Sequence, residues 1–312
     1  MLRMWVGWPL ISLLMLACTL AAGEPSGGQS GGRNAAAPER DKAALDLPWP
    51  EPDAAEVEKL KAELKGQLTN DFSILSIGPW VVATDMSEAT ARRFTHATIA
   101  KYGAAIQRQL FAKPRSAPVK VYLFKDDTSY RVWNKKLFNE TPSTPYGYYS
   151  RTKCALVMNI GTGGGTLLHE MVHAMAEPDF PKIPAWLNEG LGSLFEASNT
   201  DAKGKVIGIT NWRLTGLQRD LKSGTATKLS ELLAMDDGTF YGERSGNNYA
   251  AARYLMQYLQ QQGKLEAFYA RVRDARDADG AAALRAVFDG KLTLDEIETR
   301  CYEWVKTLQI EY

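Results

Sequence analysis

Neither sign of charge dominates this chain. Its 37 basic and 36 acidic side chains leave a formal net charge of +1. They are interspersed, so there is no electrostatic footprint for nucleic acid or another polyanion. No Gly-x-Ser-x-Gly occurs, and Cys154 has no suitable histidine nearby, which removes the signatures of serine and cysteine nucleophiles. The cluster Gly161-Thr162-Gly163-Gly164-Gly165 is followed by no Lys-Ser or Lys-Thr and lacks the dinucleotide spacing. It reads as a strand-to-helix connection and not as a phosphate loop. No tandem repeat is present. Histidine and cysteine are scarce, three of each in 312 residues.

What is present begins with an export signal. The first 22 residues, MLRMWVGWPLISLLMLACTLAA, carry Arg3, then an apolar run, then small residues. Gly7 and Pro9 near the start of that run argue against a membrane-spanning helix, which needs about 20 apolar residues. Cys18 closes the run in Leu16-Ala17-Cys18, which resembles a bacterial lipobox, although Met15 stands where Leu is usual and Leu16 is bulky for its place. Two destinations stay open: membrane anchoring through a lipid on Cys18, or a soluble periplasmic or extracellular protein. Export would permit Cys154 and Cys301 to pair, and two buried free thiols are the alternative.

Residues 23–53 are rich in Gly, Ser, Ala, Pro and charge, with too little apolar surface to offset the entropy of ordering, and read as a flexible tether. Order is expected from residue 54. AAEVEKLKAELKGQ reads as a helix and Pro79–Thr84 as a short strand. Residues 87–111 read as a long amphipathic helix capped by Ser87. VKVYLF is a β-branched and aromatic strand, and after a turn-rich segment YGYYS and CALVMN read as a hairpin. Past residue 200 the pattern is mainly helical. The expected class is α+β: a lobe over 54–198 with a small mixed sheet and an active-site helix, then a helical lobe over 199–312.

The glycines lead into TLLHEMVHAM, residues 166–175, which holds two of the three histidines. Positions i and i+4 of a helix point the same way, so His169 and His173 present their rings together. Two imidazoles on one face make half of a tetrahedral zinc site, and Glu170 beside the first is placed to serve as general base toward water. Two histidines and a glutamate buried without a partner would be costly, which favours a metal over a coincidental match.

A third ligand must come from elsewhere. Glu189, in Pro184-Ala185-Trp186-Leu187-Asn188-Glu189-Gly190, heads an apolar helix sixteen residues after His173, and folding that helix back would deliver its carboxylate to the metal. Asp179 is the second choice, since it falls where the metzincin pattern places a ligand. That pattern needs a glycine at the turn, where this chain has Ala176. Glu177, just before Pro178, suits solvent or a structural hydrogen bond. His96 reads as a surface or helix-packing residue.

With LLHEMVHAM and PAWLNEGLGSLFE in this order, the chain resembles the gluzincins, metallopeptidases of the peptidase MA-like group. The resemblance implies a zincin-like fold, a Zn2+ cofactor held by His169, His173 and Glu189, and Glu170 as general base and proton shuttle on a peptide or protein substrate. It also implies a downstream oxyanion stabiliser, for which Tyr249 is the candidate and Tyr241 the reserve. Where some members carry an acid four residues after the ligand glutamate, this chain has Ser193. The segment Val157–Ile160 is a candidate edge strand for pairing with an extended peptide. A non-catalytic zincin-like protein that binds an envelope ligand is the alternative reading.

Overall fold

Alternation along three central strands divides the sheet into two apolar faces. In the computed structural model, which describes residues 47–275 and 280–310, five strands pair in the order β1-β2-β3-β5-β4. They are β1 (Ser73–Ile77), β2 (Trp80–Thr84), β3 (Val119–Phe124), β4 (Gly147–Ser150) and β5 (Ala155–Asn159). The inner three are mutually parallel, and β1 and β4 are antiparallel edges. Trp80, Val82, Val121, Leu123, Leu156 and Met158 point to one face. Val81, Ala83, Tyr122, Phe124, Ala155 and Val157 point to the other. That is the period-two outcome for strands buried on both sides.

The second face is closed by α1 (Ala54–Gln67), through Val57 and Leu64, and by α4 (Asp127–Phe138), through Tyr130. The turn-rich stretch before the hairpin therefore contains a helix. Asp126 caps it by accepting from the Ser129 N–H at 2.8 Å, a local signal of the kind that starts helices. The hairpin itself forms as expected. In the stretch expected to be tether, Trp49 is buried edge-on to Trp80, 5.9 Å between centroids, so the chain is anchored before residue 54. An indole on the sheet end buries enough apolar area to hold it there.

The first face carries the rest of the molecule. Ser87 caps α2 (Glu88–Thr95), which runs through a π-helical segment, His96–Gly103, into α3 (Ala104–Leu110). Next on this face is α5 (Gly164–Asp179), then α6 (Ala185–Phe195). Beyond the small hairpin β6 (Ser198–Thr200) and β7 (Val206–Gly208) come α7 (Arg213–Ser223), α8 (Leu229–Leu232), α9 (Asp237–Phe240) and α10 (Ser245–Gln261). The chain finishes with α11 (Leu265–Asp274), α12 (Gly280–Val287) and α13 (Leu294–Thr307). The eleven consecutive positions 250–260 of α10 are all buried, Arg253 included, the signature of a helix enclosed on all sides. The expected boundary at residue 198 has continuous packing across it. Leu191 and Leu194 of α6 share one core with Ala252, Leu255 and Met256 of α10.

The protein is thus a mixed α+β fold with a small mixed sheet and many helices. Val157–Ile160 is not an edge: β5 lies between β3 and β4, and β4 is the free edge on that side. Cys154 is exposed at the β4–β5 turn and Cys301 is buried in α13, and both are free thiols. His96 is exposed. No helix among the described residues is long and apolar enough to cross a membrane. The signal segment and Cys18 lie outside the described residues.

Candidate metal centre

The centre is built from α5 and α6. Leu167, Met171, Val172 and Met175 seat α5 in the core, which leaves His169 and His173, one turn apart, facing α6. Their rings are nearly perpendicular, 4.8 Å between centroids. A return through Phe180–Pro184 brings α6 alongside, and two glycines let the helices touch. A Cβ on Gly192 would sit 2.9 Å from His169 Nε2, and one on Gly165 would sit 2.1 Å from the Glu196 carbonyl oxygen. Both gaps are below normal van der Waals contact, so the close approach depends on the missing side chains.

This docking delivers Glu189, only 7% exposed. Its Oε2 lies 3.0 Å from His169 Nε2 and 3.5 Å from His173 Nε2. Glu170 is also close: the ligand atoms of His169, Glu170 and His173 all fall within 4.8 Å of one another, a cluster that can hold a metal ion. The two carboxylates are not equivalent, because Glu189 is the nearer to both rings. Glu170 Oε2 instead accepts from the Tyr149 N–H of β4 at 2.9 Å.

Protonation shows what the arrangement lacks. His169 Nδ1 lies 3.2 Å from Glu196 Oε2. A carboxylate only accepts, so Nδ1 carries the proton and Nε2 of the neutral ring points a lone pair at Glu189, another acceptor. A cation has to stand between them. In the bare protein that cation is a second proton: burial alone lowers the His169 pKa, but the bonds to Glu189 and Glu196 outweigh it and lift it to about 10. For His173, too, burial lowers the pKa, but the charge of Glu189, the bond to it and the charge of Glu170 together raise it. Burial raises the Glu189 pKa, and the two histidines overcome that and hold it well below the usual carboxylate range. The His173 Nδ1 atom is buried without a hydrogen-bond partner, as is Asn188 Oδ1 beside Glu189. Two imidazole nitrogens converging on one carboxylate oxygen fit a divalent ion in place of the protons.

The surroundings brace this set. Glu196, at the end of α6, takes Arg213 Nη1 and Asn211 Nδ2 on Oε1 while Oε2 faces His169. Burial opposes its ionisation, but His169 and Arg213 prevail and lower its pKa. Ser193, which stands where an orienting acid was sought, is buried with its hydroxyl unpartnered. The acid that touches histidine is one turn further on. Its signal was the i, i+7 spacing from Glu189, two turns along one helix face.

Two tyrosines stand over Glu189. The Tyr241 hydroxyl donates to Oε1 at 2.7 Å. Tyr249 faces the same carboxylate and lies under the Arg213 guanidinium, 5.4 Å from its ring. Burial and the Glu189 charge push both phenols far up.

Asp179 is elsewhere. Helix α5 runs on through Pro178 without the sharp turn a ligand at this position would need, and Asp179 accepts from the Lys113 N–H and the Tyr269 hydroxyl. Glu177 accepts from the Tyr149 hydroxyl and pairs with Arg115, a structural role.

Residues 164–278 match the model of a family described as a protein of unknown function (DUF1570). That span holds His169, Glu170, His173, Glu189, Glu196, Tyr241 and Tyr249. None of the curated proteins matches the chain.

Proposed function

We propose that the protein is an exported zinc metallopeptidase of the gluzincin type, with a zincin-like core and with His169, His173 and Glu189 as metal ligands. The observation that carries this reading is the convergence of both Nε2 atoms on one oxygen of Glu189, with the Glu170 carboxylate, held at Oε2 by the Tyr149 N–H, on the residue after His169. Two nitrogens and one oxygen suit zinc and leave a fourth position open.

Zinc, when bound, supplies a Lewis acid that polarises a carbonyl and makes water more acidic. The chain's own groups do the rest. Burial raises the Glu170 pKa above the usual carboxylate value, which makes it a better base near neutral pH. Glu170 takes a proton from the attacking water and returns it to the leaving amine. The Tyr149 N–H fixes the Oε2 end of that carboxylate, so the other oxygen is the one that handles the proton. Tyr249 offers a phenolic O–H to the developing oxyanion, since burial and the neighbouring carboxylate keep it protonated. An extended peptide pairs along β4, the edge strand whose outward Tyr149 N–H already points at Glu170.

Glu170→Gln keeps the size and the Tyr149 contact and removes the base. Zinc content is expected to stay at the wild-type level while hydrolysis of a mixed peptide library falls roughly 100- to 10,000-fold. Equal cleavage by the variant rules out the mechanism. A zinc-loaded wild type that leaves the library intact but binds an envelope ligand saturably favours the non-catalytic scaffold.

A further inference from the structure

The Glu189 carboxylate has two oxygens in different surroundings. Oε2 faces both histidines, and Oε1 accepts from the Tyr241 hydroxyl at 2.7 Å. The torsion that exchanges the two oxygens is soft, so nothing within the glutamate itself selects which one meets a metal or prevents both from doing so. Selection has to come from outside. Tyr241 is well placed to make it: it follows α9, a different element from α6, and its ring is held edge-on to Phe240 at 5.2 Å and beside Tyr249 at 6.3 Å. Yet the residue is 45% exposed. An exposed phenol bonded to a buried carboxylate contributes less as core filling than as a hydrogen-bond donor.

We infer that Tyr241 is a positioning residue that commits Glu189 to ligate through Oε2 alone, and so sets how tightly His169, His173 and Glu189 retain a divalent metal. The inference rests on the metal-site reading and goes beyond it by assigning the two downstream tyrosines different work. Both phenols face Glu189, but Tyr241 makes the short bond to Oε1, which leaves Tyr249 as the phenol freer to turn to a substrate oxygen. With the O–H removed, Oε1 loses its 2.7 Å donor and only the Tyr249 hydroxyl still faces the carboxylate, which is then freer to rotate or to close on the metal with both oxygens.

Tyr241→Phe tests this, because it keeps the ring and its aromatic contacts and deletes one atom. Full-chain protein, stripped with a chelator, is titrated with zinc against a chromophoric competitor. The visible spectrum is recorded with Co2+ as the probe metal, and the metal-free melting curve is measured alongside. The variant is expected to bind zinc 10- to 100-fold more weakly, to show a weaker Co2+ absorption as the coordination number rises, and to melt like wild type when metal-free. Equal affinity with an unchanged Co2+ spectrum overturns the inference and leaves the metal site standing. A loss of affinity matched by a lower metal-free melting temperature overturns it as well, since Tyr241 would then be packing. Wild-type protein that holds no zinc overturns both this inference and the reading beneath it.

Discussion

Asp179 and Glu189 are both buried carboxylates, at the end of α5 and the start of α6, and they differ in what surrounds them. Around Asp179 every neighbour donates: the Lys113 N–H at 2.7 Å, the Tyr269 hydroxyl at 2.8 Å and the Arg273 guanidinium at 3.2 Å. Around Glu189 one oxygen accepts from the Tyr241 hydroxyl, and the other faces the Nε2 atoms of two histidines, of which neutral His169 offers a lone pair because its Nδ1 proton goes to Glu196. The first carboxylate is complete with the atoms of the chain. The second needs a proton on the facing His169 ring, or a metal ion in its place. Burial alone therefore does not mark a functional acid; the sign of its neighbours does.

Exchanging the two losses is the strongest way to break this comparison. Glu189→Ala is expected to weaken zinc binding beyond the roughly 100-fold that loss of an outer partner causes, and to lower metal-free melting as well, since the buried histidines lose their counter-charge. Asp179→Ala is expected to leave zinc affinity at the wild-type value. It strands a buried phenol and a guanidinium, and costs roughly 3 kcal/mol, on the order of 10 °C in melting temperature. Calorimetric melts and zinc titrations of the two variants read both effects. If Asp179→Ala lost the metal and Glu189→Ala kept it, the assignment would be reversed.

A smaller effect sharpens the comparison at the other ring nitrogen. Glu196 holds His169 from the Nδ1 side and is itself held by Arg213 and Asn211. Glu196→Gln keeps the shape and presents a neutral amide where the proton of Nδ1 is received. Zinc affinity is expected to fall about tenfold, the low end for an outer partner, since the amide oxygen still accepts. An unchanged affinity would show that Gly192 and the α5–α6 packing orient the ring without help from the carboxylate.

How much of this was legible depends on sequence separation. His169, Glu170 and His173 sit within one helical turn, where spacing alone fixes the face. Glu189 was legible because a short return obliges α6 to lie against α5. Glu196 was not legible because the family pattern places the orienting acid four residues after Glu189, at Ser193, whereas here it stands a turn further on, at the end of α6. Tyr149 and Asn211 reach the site from a sheet edge and a loop, and only the tertiary fold brings them there, whereas Tyr241 was named in reserve for a different role from its bond to Glu189. The same limit explains the edge strand. A continuous apolar run makes β5 a strand, but which strand lies outermost is set by pairing order, which local pattern does not carry. The helix α4 was hidden for another reason, since it opens on Asp-Thr-Ser and lies in a stretch that continues into Asn, Thr, Pro and Ser, and only Asp126 announces it.

The least of the expected effects asks again whether burial by itself creates a reactive group. Cys301 has no exposed surface, and burial pushes its thiol up from the ordinary value, so its thiolate is scarce. Cys154 is exposed, in a turn where its backbone adopts a φ of +44°. In a chain carrying Cys18→Ser, a disulfide reagent is expected to titrate one thiol under native conditions and the second only after denaturation. Thiol counts by mass shift check this. Two thiols reacting in the native state would mean that α13 opens readily. None reacting would mean that the two cysteines have found each other, which their separate places on a surface turn and in the core oppose, since a disulfide needs Cα atoms within about 7 Å.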